Sequence, residues 1–458
     1  MVETIHFYHT NDLHSHFQHW PKISHLLKSR KQWHKEVGET CFVFDIGDHV
    51  DRSHPFTEAT FGKGNVKLLN EAGFDVVTIG NNEGITMHKD RLSSLYDKAN
   101  FEVVVCNLYE KGGIEPPWLK PYTMLQTKSG IRIGVIGATA SFTPFYDRLG
   151  WIVTPAREEI RMLVSQLKDT TDMLVVLSHL GIHEDEQLAE ECPEIDLIFG
   201  AHTHHVLHEG KVVRNTMLTG AGKFGLYVGH VMVDIDSISK TIVDKKAILY
   251  DANELEDGDD PDYDSKLTLE GQRLLQHPLF FNDHVLKKAW FHLSELSDLF
   301  GRALIDYSGA DCALFNAGLF LDDLPEGNVT AYDIHRTLPH PINLAIIELT
   351  GAELKEAYLQ SLNADWPAIE IKGLGFRGSV MGRLIQCQLG LDEDKRLLIG
   401  GEHADPQKGY RLATLDMFTF GFFFPSFQRA PKTYVMPEFI RDIFAGYLVK
   451  TMPAVRGQ

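Results

Sequence analysis

The amino-acid sequence predicts an α/β protein in which a layered α/β domain precedes a second, α+β domain. Three observations lead to this expectation. Short apolar runs alternate with helix-like segments through the first 250 residues. Most of these runs are continuously apolar, as in strands buried on both faces, and sheets covered by helices accommodate them. A strongly acidic stretch then separates this part from a C-terminal part of different character.

The predicted elements of the first part follow one another in a regular order. The strand-like segments are rich in Val, Ile and Phe, and they read ETIHFYH, TCFVFDIG, DVVTIG, FEVVVCN, IRIGVIGA, DMLVVLSH and DLIFGAH. The helix-like segments between them are Lys22–Lys35, Gly64–Ala72, Pro155–Leu167 and His183–Glu191. Residues Val228–Tyr250 predict a hairpin of two late strands that close the sheet.

The segment Asp251–Asp264 marks the predicted domain boundary. It carries eight acidic residues and no basic one, a composition typical of a solvated, poorly ordered stretch. The predicted parts are a first domain over residues 1–264, a linker helix over 265–283 and a second domain over 284–458. The elements expected in the second domain are a helix at Leu293–Tyr307, a strand at CALFN and a helix at Gly351–Leu362.

Composition excludes several classes of protein. The 458-residue chain has 44 basic and 63 acidic residues, which gives a formal net charge of −19. Because binding to a nucleic-acid polymer relies on a basic surface, we expect no such partner. No apolar run is long enough to cross a membrane and no export signal is visible, so neither is predicted. Five scattered cysteines without a C-x-x-C pair suit the cytoplasm.

Polar side chains gather where the predicted strands end. The five segments concerned are HTNDLH at 9–14, DIGD at 45–48, GNNE at 80–83, SH at 178–179 and GAHTH at 200–204. Each is weak by itself, because an Asx turn, a helix start or a structural histidine produces the same letters. Together they are informative, since the carboxyl ends of strands in an α/β sheet converge on one crevice.

These segments supply carboxylate, imidazole and amide groups but no thiolate. Such a donor set suits two divalent ions, with Mn²⁺, Zn²⁺ and Mg²⁺ as the candidates. Alternate side chains of an extended strand point the same way, so Asp12 and His14 can reach one ion. His202 and His204 have the same spacing. Two ions about 3.5–4 Å apart can share a carboxylate and a bridging hydroxide that attacks phosphorus in line.

The pattern resembles that of the calcineurin-like metallophosphoesterases, and more closely their two-domain 5′-nucleotidase branch. TNDLHSHF, FDIGD and GAHTH are typical of that branch, and GNNEG is most similar to the cytoplasmic nucleotidases of bacilli. The resemblance implies a four-layer α/β sandwich followed by an α+β substrate domain. The ligands that it implies are Asp12, His14 and His204 for one ion, Asn81, His179 and His202 for the other, and Asp48 as the bridge.

The sequence departs from that family in the GNNEG segment. The family has G-N-H-E-F-D, whose His and final Asp form a catalytic dyad, whereas this chain has Asn82 and Ile85. Asn82 can donate a hydrogen bond but cannot act as a cation or a general acid. Losing such a stabiliser costs about 10²–10³ in rate. The catalytic candidates are therefore Asn82 itself, Arg52 and His49, although surface charges beside a helix start explain the last two equally well.

The second domain supplies candidate substrate-binding residues. Asn316, in the segment NAG, resembles the family's phosphate-side N-G-G motif. Phe376, in GFRG, matches one aromatic of a pair that sandwiches the base, and Phe418 or Phe420 matches the other. Stacking of this kind contributes about 1–3 kcal/mol per base. Arg377 is a candidate for the phosphate-binding Arg that the chain lacks, and the alternative for the phenylalanines is a place in the core.

The resemblance implies a dinuclear metal-dependent phosphoester hydrolase that releases phosphate from a small nucleotide by attack of a metal-bridging hydroxide. Two alternatives stay open. One is a hydrolase of another phosphoester or anhydride, such as a nucleotide sugar, a cyclic nucleotide or a dinucleoside polyphosphate. The other is a non-catalytic nucleotide sensor on the same fold. The altered GNNEG segment is the reason to keep them.

Overall fold

The N-terminal unit of the computed structural model, which describes residues 2–457, is built on two six-stranded sheets. Its strands are β1 Val2–Thr10, β2 Thr40–Asp45, β3 Val76–Val77, β4 Glu102–Val103, β5 Leu108–Glu110, β6 Tyr122–Gln126, β7 Arg132–Thr139, β8 Trp151–Val153, β9 Met173–His179, β10 Leu197–Gly200, β11 Lys211–Val213, β12 Thr216–Thr219, β13 Tyr227–Asp236 and β14 Thr241–Asp251. Its helices are α1 Trp20–Val37, α2 Pro55–Thr60, α3 Lys63–Ala72, α4 Asn81–Ile85, α5 Lys89–Ser93, α6 Thr143–Leu149, α7 Ala156–Leu167, α8 Ile182–Glu191 and α9 Tyr263–Leu274.

Both sheets have a parallel centre with antiparallel strands at one or both ends. The first sheet has the order β14-β13-β1-β2-β3-β4, in which β1 to β4 are parallel. The second has the order β11-β12-β10-β9-β7-β6, in which β12, β10, β9 and β7 are parallel. The predicted late hairpin is confirmed as the antiparallel pair β13–β14.

The sheets face each other across an apolar core, and helices cover their outer faces. Phe7 and Phe44 of the first sheet pack against Phe199 of the second, with ring centroids 6.1 and 5.6 Å away from it. On the outer side of the second sheet lie α7 and α8, whose apolar residues share a core with that sheet, while α1 contacts β2 of the first. The amphipathic spacing of Ile160 and Val164 on α7 explains this placement. The predicted four-layer α/β sandwich is confirmed.

The parallel strands end level with one another. Thr10 of β1 lies beside Asp45 of β2, which in turn lies beside Val77 of β3. In the second sheet, Ser178 of β9 pairs with Gly200 of β10. The loops that leave these ends are therefore neighbours within each sheet, which is the arrangement that brings together side chains from distant parts of the chain.

The acidic segment Asp251–Asp264 lies within the N-terminal unit and makes specific contacts there. The carboxylate of Asp264 accepts a hydrogen bond of 3.3 Å from the backbone N–H of Phe17. Gly258 adopts a φ of +79°, and a Cβ at this position would lie 2.4 Å from the Cβ of His25. Most of this segment is exposed, while Asp264 and Asp259 contact Phe17 and Lys22 at the start of the chain's first helix. Its role as a domain boundary stays a prediction.

The two compact units divide between Gly271 and Gln272, inside α9. Residues 265–283, for which we expected a linker helix, form the rest of α9 and then β15 of the second unit. The strands of that unit are β15 Pro278–Asn282, β16 Cys312–Asn316, β17 Gly327–Thr330, β18 Asn343–Thr350, β19 Leu384–Cys387, β20 Leu389–Leu391, β21 Leu397–Ile399, β22 Glu402–His403, β23 Gly409–Leu415 and β24 Lys432–Phe439. Its α-helices are α10 Glu295–Ser308, α11 Ala331–Thr337, α12 Gly351–Ser361, α13 Pro425–Arg429 and α14 Ile440–Thr451.

The C-terminal unit is an α+β fold around a five-stranded sheet. The order of that sheet is β19-β16-β23-β18-β24, and only the pair β16–β23 is parallel. Phe300 of α10 is fully buried between Phe315 of β16 and Phe444 of α14, with ring centroids 4.9 and 5.4 Å away. Among residues 2–457, no helix combines the length and the apolar character needed to span a membrane.

Candidate metal centre

The loops at the ends of the parallel strands hold most of the predicted ligands in an unusual backbone conformation. Asp12, His14 and Asp48 have φ values of 50°, 49° and 51°, and His202 and His204 have 71° and 58°. This left-handed region is uncommon for residues other than glycine, and such residues cluster at functional sites, where surrounding structure maintains the strain. Five of the seven predicted ligand positions therefore have the left-handed backbone that is common at functional sites.

Two glycines allow the loops after β2 and β3 to touch. Gly47 has a φ of +83°, and a Cβ there would lie 2.2 Å from the backbone nitrogen of Gly80. A Cβ at Gly80 would in turn lie 2.0 Å from Oδ1 of Asp48 and 2.5 Å from Cε1 of His179. Because any side chain at either position would collide with these atoms, glycine is required for Asp48 and His179 to approach the loop that carries Asn81.

The first predicted ligand set is assembled. One oxygen or nitrogen from each of Asp12, His14 and His204 lies within 4.8 Å of the others. The Nε2 atoms of the two histidines are 3.3 Å apart, and Oδ1 of Asp12 lies 3.5 Å from Nε2 of His204. Asp12 is fully buried, and its carboxylate accepts hydrogen bonds from the backbone N–H of His202 and the amide of Asn11. These bonds fix its direction.

A second group joins Asp12 and Asp48 with His179. His179 donates from Nδ1 to the carbonyl of Ile46 at 2.7 Å, which leaves Nε2 directed toward Asp48, whose Oδ2 is 3.5 Å away. This Nε2 is buried without a hydrogen-bond partner, and so is Oδ1 of Asn81. Both atoms belong to predicted ligands. A buried polar atom without a partner is costly, so these two atoms fit residues that bind an ion.

Electrostatics point to the same requirement for a cation. Burial lowers the pKa of His179, but the charges of Asp48 and Asp12 more than offset it and raise that pKa to about 10. Burial and the neighbouring His179 lower the pKa of His202 to about 4, so this second imidazole stays neutral. His202 has its ring centroid 5.3 Å from that of His179. Two buried carboxylates among imidazoles, without thiolate, are a donor set that fits divalent Mn²⁺, Zn²⁺ or Mg²⁺.

Glu83 is a residue of this centre to which the sequence pattern assigned no role. It is 1% exposed, and its carboxylate accepts hydrogen bonds from the backbone N–H groups of Asp48, Val50 and Gly80 at 3.0, 2.9 and 2.8 Å. Burial and the charge of Asp48 raise its pKa to about 7. The sequence does offer a signal for such a role, because Glu83 stands between two glycines in the segment GNNEG.

Comparison with known proteins agrees with this geometry. Residues 5–206 match the model of the calcineurin-like phosphoesterases, and residues 276–421 match that of the 5′-nucleotidase C-terminal domain. Over 462 aligned residues the chain is 41% identical to the uncharacterised metallophosphoesterase YunD of Bacillus subtilis, with 98% of this chain and 100% of YunD covered. The chain belongs to the metallophosphoesterase family. It is a metal-dependent phosphoesterase with a C-terminal domain of the 5′-nucleotidase type.

Two solved structures of nucleotidases share the fold over nearly the whole chain. A proposed 5′-nucleotidase of Staphylococcus aureus, crystallised with α-ketoglutarate, has a TM-score of 0.70 at 18% identity, and 99% of each chain is covered. The NAD nucleotidase of Haemophilus influenzae has a TM-score of 0.66 at 16% identity, with 100% of this chain and 98% of the other covered. At these identities the similarity concerns the fold alone.

Within the metallophosphoesterase unit, Asn82 lies beside the predicted ligands, whereas His49 and Arg52 point elsewhere. The amide nitrogen of Asn82 lies 2.9 Å from Nδ1 of His14 and donates to the carbonyl of Val50 at 3.0 Å. Arg52 makes two hydrogen bonds to the carboxylate of Glu58, at 2.8 and 3.0 Å. The structure therefore does not bring Arg52 into the ligand group, because its guanidinium is paired with Glu58.

His49 is likewise absent from the ligand group. It is 2% exposed, its ring packs edge-on against Trp20 at 5.0 Å, and its Nδ1 lies 3.2 Å from the amide nitrogen of Asn65. Burial lowers its pKa to about 3, so it does not carry a charge at neutral pH. The ring of His49 thus packs against α1. It cannot supply the cation that the altered GNNEG segment lacks.

In the C-terminal unit, the predicted substrate residues are mostly engaged in packing. Phe418 is fully buried against Phe423 and Phe424, so its predicted role in base stacking is wrong and the core alternative holds for it. Phe376 is 3% exposed and stacks on His340 at 5.0 Å. Phe420 is 40% exposed, which leaves part of its ring accessible.

Asn316 contacts Met381, which lies in the same segment as Arg377. Asn316 is fully buried and donates from Nδ2 to the carbonyl of Met381 at 2.8 Å, while its Oδ1 has no hydrogen-bond partner. The backbone N–H of Arg377 donates to Nδ1 of His340, and its guanidinium contacts the carbonyl of Phe376. Phosphate binding by either residue stays a prediction.

Proposed function

We propose that this chain is a dinuclear phosphohydrolase that releases phosphate from a small nucleotide, with Asp12, Asp48 and His179 at the centre of its ion sites. The observation that carries the proposal is the pair of orphaned ligand atoms, Nε2 of His179 and Oδ1 of Asn81, next to two buried carboxylates. A bound pair of divalent ions supplies an activated water and neutralises charge on the phosphoryl oxygens. Membership of the metallophosphoesterases supports the reaction class.

The chain's own residues would position these ions in two sets. Asp12, His14 and His204 would hold one ion, and Asn81, His179 and His202 the other, with Asp48 shared. The carbonyl of Ile46 holds the tautomer of His179 that leaves Nε2 free to bind. The backbone N–H of Asn82 donates to Oδ1 of Asp48 at 2.7 Å, so the other oxygen of that carboxylate is turned to His179.

A phosphate-release assay over a panel of nucleoside monophosphates, with Mn²⁺, Zn²⁺ or Mg²⁺, tests the proposal. We expect turnover by the wild type and its loss, by at least about 10³-fold, in Asp48→Asn, because the shared ligand is removed. Asp97→Asn changes an exposed aspartate of the same unit and is the matched control. Release of phosphate by Asp48→Asn at the wild-type rate would contradict the proposal, and tight nucleotide binding without turnover by the wild type would favour the sensor.

A second candidate reaction is hydrolysis of an anhydride or another phosphoester, and the contacts of Asn82 favour it. Its amide is occupied by His14 and Val50, and Arg52 and His49 lie outside the ligand group. A leaving group that needs no protonation, such as a phosphate in an anhydride, depends least on a general acid. Chromatography of the products separates the two reactions, because only a nucleotidase leaves a nucleoside.

A cytoplasmic location also stays a proposal, supported by the five free cysteines.

A further inference from the structure

A second group of histidines lies on the outer face of the first sheet. His6 lies on β1, His230 on the antiparallel neighbour β13, and His34 in the last turn of α1. Their exposures are 7%, 5% and 1%, so all three rings are buried. Their neighbours Phe7 and Val231 belong to the core between the sheets, so this group faces away from that core.

The ring nitrogens of this group converge. One nitrogen from each histidine lies within 4.8 Å of the others, and Nδ1 of His6 is 3.0 Å from Nε2 of His230. Oε2 of Glu39, in the turn after α1, lies 2.9 Å from Nδ1 of His34 and 3.2 Å from Nε2 of His6. The second contact is not a hydrogen bond, because Nε2 of His6 is buried without a hydrogen-bond partner.

Two tyrosine hydroxyls lie beside the other ring nitrogens of His34 and His230. The hydroxyl of Tyr8 lies 3.1 Å from Nε2 of His34, and that of Tyr250 lies 3.4 Å from Nδ1 of His230. A metal-binding histidine normally has such a partner on its outer nitrogen, which orients the ring. Three converging imidazoles, with the carboxylate of Glu39 beside two of them, suit Zn²⁺, whereas Mg²⁺ prefers oxygen ligands.

We propose that His6, His34 and His230, together with Glu39, form a structural binding site for a transition-metal ion of the Zn²⁺ type, separate from the catalytic centre. The rings of His6 and His34 are stacked with centroids 3.9 Å apart, so binding turns one of them out of the stack. The site connects the end of α1 to β1 and β13. Because β1 continues into the loop of Asp12, the ion stabilises the strand that leads to the catalytic centre.

Zinc binding to chelator-treated protein tests the site, with metal content measured by mass spectrometry and unfolding followed by calorimetry. The background is Asp12→Asn/Asp48→Asn, which removes the one carboxylate common to both groups of the catalytic centre and the second carboxylate of the other group. We expect this protein to bind one Zn²⁺ more than the same protein with His230→Gln added. At a Zn²⁺ concentration 100 times Kd, its melting temperature rises by about 5 °C. His25→Gln, at an exposed position of α1, is the matched control.

A failure of this site can be told apart from a failure of the proposed function. The first is measured as bound Zn²⁺, and the second as released phosphate. His230→Gln in the wild-type chain keeps its Mn²⁺-dependent phosphate release if the site is structural. Equal zinc contents and equal shifts with and without His230→Gln would overturn the site. If that variant does not fold, Glu39→Gln decides: a fall in Zn²⁺ affinity of about 10-fold or more supports the site, and unchanged affinity overturns it.

Discussion

The carboxylate of Glu83 holds three backbone N–H groups of the loops that carry Asp48 and Asn81. Oε2 accepts hydrogen bonds from the backbone N–H groups of Asp48 and Gly80, and Oε1 accepts one from the backbone N–H of Val50. A buried carboxylate in this position cannot be replaced by a group that also carries hydrogens, because at least one N–H would then face another donor.

We expect Glu83→Gln to lower the free energy of unfolding by about 2–3 kcal/mol and to weaken Mn²⁺ activation. The amide nitrogen of the glutamine would face at least one backbone N–H group that now has an acceptor. Denaturant unfolding and the Mn²⁺ dependence of phosphate release measure the two effects. Glu190→Gln, an exposed position on α8, is the control. A Glu83→Gln protein that matches this control in both measurements would contradict the role.

Asp416 gives a pH-dependent prediction for the C-terminal unit. It is 7% exposed, and burial raises its pKa to about 7 from the ordinary 3.8. Because the folded state holds its proton more tightly than the unfolded state, stability is greatest below pH 4 for this group and falls as pH rises from about 4 to 7. The loss amounts to about 2–4 kcal/mol.

Asp416→Asn removes this titration while keeping an oxygen to accept from the backbone N–H of Asn343, now 3.0 Å away. The variant is expected to gain in melting temperature relative to the wild type as pH rises from 5 to 8. Calorimetry at several pH values measures the difference, and Asp365→Asn, at an exposed site, provides the comparison. A pH-independent difference between the variant and the wild type would refute the assignment.

Among the secondary-structure elements, the junction of the β2 and β3 loops determines the site. Gly47 is in the left-handed region, and the backbone of Gly80 fills the space where its side chain would lie. The β2 loop could not move aside without also moving Asp48, which follows Gly47 directly. The close approach of two loops, rather than the strands alone, therefore places the carboxylate of Asp48.

Gly47→Ala is expected to destabilise the N-terminal unit by more than the about 1–2 kcal/mol that a left-handed alanine costs, because a collision is added to it. Gly112→Ala is a matched control, since Gly112 has a φ of +91° and nothing within 4 Å of the added Cβ. Equilibrium unfolding of the two variants gives the comparison. Equal losses of stability would show that the contact with Gly80 has no energetic consequence.

For the whole molecule, the candidate ion sites lie in one of two compact units. Every candidate ligand precedes Gly271, and the second unit has its own core. We expect chelation of Mn²⁺ to lower the melting temperature of the first unit by about 5 °C or more and to leave the second within about 1 °C. Calorimetry with and without chelator measures both transitions. Asp12→Asn serves as the ion-deficient reference, and equal shifts of both transitions would contradict the prediction.

Periodicity and residue type predicted the elements of the first unit well. The segments expected as strands from ETIHFYH to DLIFGAH are β1, β2, β3, β4, β7, β9 and β10, and the four expected helices are α1, α3, α7 and α8. Short strands such as β5, β8 and β11 were not predicted, since three residues are too few to show a period. The contacts of the acidic segment with Lys22 and Phe17 could not be predicted, because charge alone does not reveal partners distant in the sequence.

Local sequence pattern was enough to predict the order of the strands and helices and the donor groups of the candidate centre. Which of those side chains are already paired or packed depends on contacts that only the folded chain makes. Asn82 binds His14, Arg52 binds Glu58, and Phe418 is buried in the core. These outcomes depend on partners distant in the sequence, and the spacing of residues along the chain does not determine how folding brings them together.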